Sequence, residues 1–296
     1  MAILDAIVVK TSRTSDHDLR KGENYIYDAL PPENVFGHTK KVRLLRDSIE
    51  RLRRRSGRGS LRILDIGCGS GYAVTRFLSR QGDQVLGIDM YPPNINYAAT
   101  HFGHNGLRFI CMDADSLSAD GETFDIVVMA DILEHLDNPM AILATAAELM
   151  VPNGILLVTV PNGKGPFELE SAFSRVPLVG SALLSMLDLS VALLKKFVLG
   201  GISSRNPSSG PSDLPYNIDS GHVQFFSMAA MVRLFSETGL EVIGSRNLSF
   251  LCGPFTNSIF SRWQSFCDWN VSMADHLPSW LSSAWFFECR KTSDRD

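Results

Sequence analysis

The 296-residue sequence lacks any C-x-x-C pair and any cluster of cysteine with histidine. Its five cysteines are scattered along the chain, at Cys68, Cys111, Cys252, Cys267 and Cys289. This distribution argues against a zinc site and favours a reducing compartment over a disulfide framework.

The sequence also has little net charge and no leader-like start. The formal net charge is −4, which is too small for a partner bound mainly through phosphate neutralisation, so we expect no nucleic acid. The first residues, "MAILDAIVVKTSR", place an acid inside a short apolar run and have no basic segment before it. A secretory signal is therefore not indicated, and we expect a cytoplasmic protein.

One long apolar run is present, at residues 176–202, but Asp188 and the Lys195-Lys196 pair interrupt it too soon for a membrane span. Its apolar surface must be covered by the protein's own core, by a partner subunit in a homodimer, or by the inner face of a membrane on which it lies. These three alternatives stay open. The Ser, Pro, Gly and Asn residues that follow predict a flexible linker.

Short β-like runs alternate with helical stretches in the first half of the chain. The runs are "LRILDI", "QVLGID", "LRFICM", "FDIVVMA" and "GILLVTV", and a helix from Thr39 to about Arg55 precedes them. This rhythm predicts parallel strands joined by helical crossovers. A helix "SMAAMVRLFSETG", with Ser227 as its N-cap, and two further strands, "LEVIGSRNL" and "AWFFECRK", complete the pattern.

We therefore predict an α/β fold with a Rossmann-like, seven-stranded, mostly parallel sheet that carries helices on both faces and a helical insertion after strand five. The predicted segments are a lid or helical extension (residues 1–38), a cofactor-binding core (39–163), the apolar insertion with its linker (164–221), and the C-terminal part of the sheet (222–296).

Three glycines, Gly67, Gly69 and Gly71, follow the first strand and precede a predicted helix. Glycine permits a tight turn and close approach of a ligand, and a helix N-terminus supplies amide donors, so a nucleotide-like ligand is expected. The second strand ends at Asp89, where a carboxylate can accept hydrogen bonds from two ribose hydroxyls. NAD and an adenosyl ligand both fit these features.

Two details favour the adenosyl ligand. The dinucleotide fingerprint requires a small residue where this sequence has Tyr72, which disfavours a nicotinamide-dependent oxidoreductase. Asp65 lies two residues before the first glycine, and its charge suits a ligand with an ammonium group and repels a pyrophosphate.

The segments "LDIGCGSG" and "GIDM" resemble the first and second motifs of the class I S-adenosylmethionine-dependent methyltransferases, strongly over residues 40–160 and more weakly over 222–290. The resemblance implies that S-adenosylmethionine is the cofactor, with Asp65 at its ammonium end and Asp89 at its ribose. "CMDAD" resembles the third element, which implies that Asp113 meets the adenine amino group; a solvated loop acid is the alternative. The predicted cofactor residues are Asp65, Gly67, Cys68, Gly69, Gly71, Asp89, Met90, Met112, Asp113, Ala114, Ala130 and Asp131.

The segment "ADILEHLDNP" follows strand four, whose end faces the ligand crevice of open α/β sheets. It resembles a subgroup acting on small molecules and lipids, including the ubiquinone-pathway O-methyltransferases, in which an acid-x-x-Glu-His set is associated with a divalent metal. The matching residues are Asp131, Glu134 and His135. Because Asp replaces Glu at 131, we favour pocket lining, assign no metal, and keep a divalent metal as the alternative.

The segment "GHVQFFS" resembles a His-x-x-x-Phe-Ser element beside the acceptor site. His222 is therefore a candidate general base, with His135 and Asp131 as the other candidate catalytic residues; a histidine bonded to backbone at a helix start is the alternative.

We predict methyl transfer to a hydroxyl oxygen of a small, hydrophobic, lipid-linked or glycan-linked acceptor. The competing hypothesis is a non-catalytic binding module that docks through the apolar insertion.

Overall fold

The structure, a computed structural model, describes residues 37–117, 122–174, 222–260 and 263–292. The apolar run 176–202, the linker, and all of the predicted N-terminal lid except residues 37 and 38 lie outside these residues. Within the described ranges, every helix is too short or too polar to cross a lipid bilayer.

Seven strands and seven α-helices make up the described part of the chain. The strands are β1 (Arg62–Ile66), β2 (Gln84–Asp89), β3 (Leu107–Cys111), β4 (Phe124–Ala130), β5 (Met150–Pro161), β6 (Leu240–Asn247) and β7 (Ala284–Lys291). The helices are α1 (His38–Ser56), α2 (Pro92–Phe102), α3 (Pro139–Leu149), α4 (Pro166–Ser174), α5 (Met228–Glu237), α6 (Pro254–Phe260) and α7 (Gln264–Ala274).

The seven strands form one sheet in the order β3-β2-β1-β4-β5-β7-β6. Strands β1 to β5 are parallel, whereas β7 is antiparallel to both of its neighbours, β5 and β6. The predicted α/β fold with a seven-stranded, mostly parallel sheet is confirmed. The strand order reverses between β1 and β4, which places the ligand crevice outside the carboxyl ends of these strands.

Both faces of the sheet are covered by helices. Leu64 and Val158 point to the face that packs against α3 and α5. Ile63 and Leu157 point to the other face, where Leu45 of α1 packs. This alternation follows from the two-residue period of a strand, and burial on both faces explains why the central strands read as continuous apolar runs.

The ends of two helices follow local sequence signals. Helix α1 ends at Gly57, whose φ of 64° is the left-handed conformation that glycine adopts easily. Helix α5 begins after Ser227, whose hydroxyl accepts a hydrogen bond from the Ala230 amide at 3.2 Å, so the predicted N-cap is confirmed. Of the predicted insertion after strand five, only α4 lies in the described part of the chain.

The predicted helix directly after the glycine turn is wrong. The structure has only a single 3₁₀ turn there, at Thr75–Phe77. Gly71 has a φ of 70°, which breaks a right-handed helix, and the Thr75 hydroxyl binds the Asp65 carboxylate instead of facing solvent. The turn therefore presents no α-helix N-terminus to a ligand.

Candidate active site

The glycine turn is closely packed at Gly67 and open at Gly69. A Cβ atom at Gly67 would lie 2.7 Å from the Ile132 side chain, whereas one at Gly69 would have nothing within 4 Å. Gly67 is therefore required by close packing against the loop after β4. The open space beside Gly69 leaves room for a ligand at the backbone.

Asp89 ties the end of β2 to this turn. Its Oδ2 accepts a hydrogen bond from the Gly69 amide at 2.9 Å, and its Oδ1 accepts from the Tyr91 amide at 2.8 Å. The amides of Gly67 and Cys68 both donate to the Ile88 carbonyl. A carboxylate has about four acceptor positions, so Asp89 can still receive a ribose hydroxyl.

In the part of the chain that the structure describes, Asp65 is a buried carboxyl of which only one oxygen forms a hydrogen bond. Its Oδ2 accepts from the Thr75 hydroxyl at 2.7 Å, but among the described residues its buried Oδ1 has no hydrogen-bond partner. Burial raises the pKa of Asp65 to about 7; the Thr75 bond opposes this shift and the charge of Asp89 adds to it. An ammonium group would satisfy the free oxygen, so the site fits the predicted cofactor.

The remaining predicted cofactor residues lie at the carboxyl ends of four strands: Cys68 after β1, Met90 after β2, Met112 and Ala114 after β3, and Ala130 as the last residue of β4. Burial, with the charges of Asp65 and Asp89, raises the pKa of the Cys68 thiol well above its usual range, so Cys68 lines the turn as a neutral group. Met90 is 63% exposed, while Met112 and Ala114 are half-buried against the core.

Asp113 is exposed. Its exposure is compatible with contact to the adenine amino group and with the alternative, a solvated loop acid.

Asp131 directly follows β4, at a φ of 55°, a conformation that Asp tolerates better than most residues. Its Oδ1 accepts from the Thr159 hydroxyl at 2.8 Å, and its Oδ2 pairs with the Lys41 ammonium. Burial acts to raise its pKa, but the charge and hydrogen bond of Lys41, with the Thr159 bond, outweigh burial and hold the pKa below its usual range. An anion stabilised in this way is a weak base, so a structural role is favoured over the predicted catalytic one.

The sequence prediction missed Lys41, His38 and Thr159. Lys41 is 5% exposed and lies four residues before Leu45, on the same face of α1. A lysine on the buried face of a helix was the available signal, because lysine is rarely buried unless paired. Burial and the charge of Lys41 lower the pKa of His38 to about 3, against the opposing charge of Asp131.

The structure brings His135 and His222 together. Their ring centroids are 5.1 Å apart, and the rings meet edge-on at 67°. The segment that carries His222 is held by the Glu134 carbonyl, which accepts from the Val223 amide at 2.8 Å and from the Gln224 amide at 3.0 Å. Two histidines from distant parts of the sequence therefore share one site.

Glu134 lies beneath these histidines with 1% of its surface exposed. Its Oε2 has no hydrogen-bond partner among the described residues. Burial, and then the charge of Asp131, raise the pKa of the Glu134 carboxyl well above its usual range.

The predicted alternative metal set, Asp131 with Glu134 and His135, does not fit a cation, because the Lys41 ammonium already occupies the Asp131 carboxylate. A different set of ligand atoms, from Glu134, His135 and His222, lies within 4.8 Å of one another. We assign no metal to it.

Glu168, at the start of α4, is a second residue that the sequence prediction missed. Its Oε1 lies 3.4 Å from Nδ1 of His222, but this buried oxygen has no hydrogen-bond partner among the described residues. The side chain of His222 is 29% exposed and that of Glu168 is 15% exposed, so both lie partly out of solvent. The rings of Phe167 and Phe225 each lie 6.4 Å from the His222 ring.

A sequence model of the family described as "Methyltransferase domain" matches residues 36–245, which is more than half of the chain. The chain belongs to this methyltransferase family. The match covers the glycine turn, the Asp65 and Asp89 carboxylates, His135 and His222.

Relatives of this chain include two that carry the name ubiquinone biosynthesis O-methyltransferase. The protein from Cereibacter sphaeroides is 38% identical over 104 residues, which cover 34% of this chain and 42% of the relative. The protein from Parvibaculum lavamentivorans is 36% identical over 104 residues, covering 34% of this chain and 41% of the relative. The match thus spans about two-fifths of the length of each relative.

Solved structures share the fold of this chain. An S-adenosylmethionine-dependent methyltransferase from Mesorhizobium loti has a TM-score of 0.51 at 14% identity, over 86% of this chain and 98% of that one. The plantazolicin methyltransferase BpumL has a TM-score of 0.50 at 15% identity, over 86% of this chain and 84% of that one. The predicted family, the class I S-adenosylmethionine-dependent methyltransferases, is confirmed, and the roles of individual site residues stay predictions.

Proposed function

We propose that this protein transfers the methyl group of S-adenosylmethionine to a hydroxyl oxygen of a small, hydrophobic acceptor. The observation that carries the proposal is the position of His222, whose Nδ1 faces the Glu168 carboxylate at 3.4 Å beside the carboxyl end of the sheet. The name O-methyltransferase, carried by relatives that match 34% of this chain, supports the choice of oxygen.

Three features would hold the cofactor: the free Oδ1 of Asp65 at the ammonium, the Asp89 carboxylate at the ribose, and the open space beside Gly69. S-adenosylmethionine supplies a methyl group that is already activated on a sulfonium. The protein therefore needs only to align the acceptor and to remove its proton.

His222 is suited to remove that proton. A carboxylate that faces Nδ1 favours the tautomer with hydrogen on Nδ1, which leaves Nε2 free to accept a proton from an acceptor hydroxyl. In hydrolase triads an acid orients the base through a hydrogen bond, whereas here the Glu168 carboxylate acts on His222 through its charge, at 3.4 Å. His135, edge-on to His222, limits the directions from which the acceptor can approach Nε2.

The acceptor side offers apolar surface. Val223 is 52% exposed and Phe225 is 54% exposed, on either side of Gln224 in the segment that carries His222. Exposed apolar side chains beside a candidate base favour a hydrophobic acceptor. Membrane contact or dimerisation through residues 176–202 remains a prediction, because that run lies outside the described residues.

The proposal is tested by incubating the full chain with S-adenosylmethionine that carries an isotope-labelled methyl group. The acceptor panel pairs hydrophobic phenols and alcohols with anilines of the same shape, and mass spectrometry detects the gain of the labelled methyl. We expect products from the hydroxyl compounds only. Transfer to the anilines instead, or binding of S-adenosylhomocysteine without transfer to any acceptor, would contradict the proposal.

A further inference from the structure

A cavity of about 510 Å³ lies away from the residues assigned above. It opens between the first two turns of α1, the carboxyl end of β6 and the stretch that follows α7. The residues that give it its chemistry are Lys40, Arg43, Ser245, Arg246, Asp275 and Ser279.

The lining of this cavity is cationic. Lys40, Arg43 and Arg246 carry positive charge, and Asp275 is the one carboxylate among the residues that line it. The residues that line the cavity therefore carry two more positive charges than negative ones, whereas the whole chain has a formal net charge of −4. A local potential of the opposite sign to the whole protein favours binding of an anion.

Lys40 is a fixed part of the wall, because it is only 3% exposed. Its ammonium donates to the Val271 carbonyl at 3.1 Å and to Asp275 Oδ1 at 2.8 Å. An ammonium has three N–H donors, so one remains after these two bonds. The charge of Asp275 is thereby balanced by Lys40, and it does not cancel the two arginines.

Arg43 and Arg246 are exposed, and within the described residues neither forms an ion pair. The Arg246 guanidinium donates only to the carbonyl of its neighbour Ser245, at 2.8 Å. Other arginines differ: Arg53 pairs with Asp83 at 2.7 Å, and Arg290 pairs with Glu241 at 2.9 Å.

We propose that this cavity binds a phosphoryl group, either as a free ion or as part of a small phosphorylated molecule. Two guanidinium groups offer planar pairs of N–H donors that match phosphate oxygens. Lys40, Ser245 and Ser279 line the same space, and an ammonium and two hydroxyls are further donor groups for phosphate oxygens. This inference does not rest on the proposed methyl transfer, since binding alone tests it.

The test measures binding of inorganic pyrophosphate and of phenyl phosphate to the full chain, by calorimetry and by phosphorus NMR at low salt. We expect both compounds to bind, and the affinity to fall about tenfold with Arg43→Gln and about tenfold with Arg246→Gln. Tighter binding of phenyl phosphate would identify a phosphorylated molecule, and equal or tighter binding of pyrophosphate would identify the free ion.

Arg46→Gln is the matched control, because Arg46 is also exposed on α1 but does not line the cavity; its effect should stay within about twofold. All variants should bind S-adenosylhomocysteine as the unchanged protein does, which shows that they are folded. The proposal is overturned if neither phosphate compound binds, if Arg46→Gln weakens binding as much as the cavity variants, or if only anionic lipid vesicles bind.

Discussion

The two sides of the crevice are built in different ways: a predicted cofactor side around Asp65 and Asp89, and a predicted acceptor side around Asp131, His135 and His222. On the cofactor side, the polar groups come from the ends of two neighbouring strands, and they bond locally: Asp65 with Thr75, and Asp89 with Gly69. On the acceptor side, the groups come from α1, the loop after β4, α4 and the segment before α5. The cofactor side is thus a property of the β1–β2 segment, whereas the acceptor side exists only in the folded chain.

The two sides also differ in charge balance. Asp65 is held without a cation, and burial raises its pKa to about 7. Asp131, despite a similar position at the end of the next strand in the sheet, pairs with Lys41 and has a lowered pKa. The Asp65 carboxyl can therefore bind a positively charged group of a ligand. The Asp131 carboxylate cannot do so in the same way, because Lys41 already balances its charge.

The largest expected effect concerns the base on the acceptor side. Replacing His222 by Gln removes the proton acceptor and should lower kcat between about a hundredfold and a thousandfold. Affinity for S-adenosylhomocysteine, measured by calorimetry, should not change, because the two sides are separate. His104→Gln is the control, since His104 is exposed and precedes β3 at the opposite edge of the sheet. A His222→Gln enzyme with normal kcat would remove the base from the proposed mechanism.

The next effect concerns Asp65 and its pH dependence. Its pKa is raised from 3.8 to about 7 in the folded chain, so the cofactor-free protein should lose stability as pH rises from about 4 to about 7, by up to about 1.4 kcal/mol per pH unit. Cofactor affinity should change in the opposite direction, because an ammonium binds the ionised carboxylate. Urea unfolding and calorimetry across this range measure both trends.

Asp65→Asn is the decisive variant for that pair of trends. It should weaken S-adenosylhomocysteine binding about a hundredfold at neutral pH, while it removes the pH-dependent loss of stability. If the variant binds normally, the assignment of Asp65 to the ammonium is wrong.

A smaller effect is expected for the ion pair of the acceptor side. Lys41→Met should lower the free energy of unfolding by about 2 kcal/mol. This loss is smaller than the usual cost of breaking a fully buried ion pair, because the Asp131 side chain is 39% exposed. The double variant Lys41→Met with Asp131→Asn should recover part of this loss, and urea unfolding measures both. Equal stability of the single variant and the unchanged protein would show that the pair does not hold α1 to the sheet.

The smallest effect is expected for Glu168→Gln, which removes the charge that orients His222. We expect kcat to fall about tenfold with little change in KM, and the nitrogen-15 NMR signals of His222 to shift toward a mixture of tautomers. Glu170→Gln is the matched control on the same helix: Glu170 accepts from the Thr256 amide and hydroxyl at 2.9 and 2.6 Å, so its loss should change stability and leave the His222 signals unchanged. Identical spectra for Glu168→Gln and the unchanged protein would assign Glu168 a structural role.

Most of the fold and of the predicted cofactor side could be predicted from the sequence. The seven strands, helix α1 and the Ser227 cap were predictable because each depends on residues a few positions apart. The same holds for the glycine turn and Asp89, since the carboxyl ends of adjacent parallel strands always meet at one edge. The α-helix after the turn was predicted wrongly, because Thr75 turns inward to Asp65.

The acceptor side was only partly predictable. His135 and His222 were each singled out, but their 5.1 Å separation depends on long-range packing that has no local pattern. Lys41 left a weak signal as a charge on a buried helical face. Glu168 left none, because an acid near a helix start is ordinary.

The place of β7 in the sheet has a consequence for the order of folding. Within the described part of the chain, strand β6 pairs with the sheet only through β7, although β7 follows it in the chain. Residues 240–247 therefore have no strand to pair with until residues 284–291 have docked on β5. Such non-local pairing is slow to form, so the β5–β7 contact is the step that commits this edge of the protein to its native arrangement, and truncation before β7 would leave β6 as an unpaired, aggregation-prone strand.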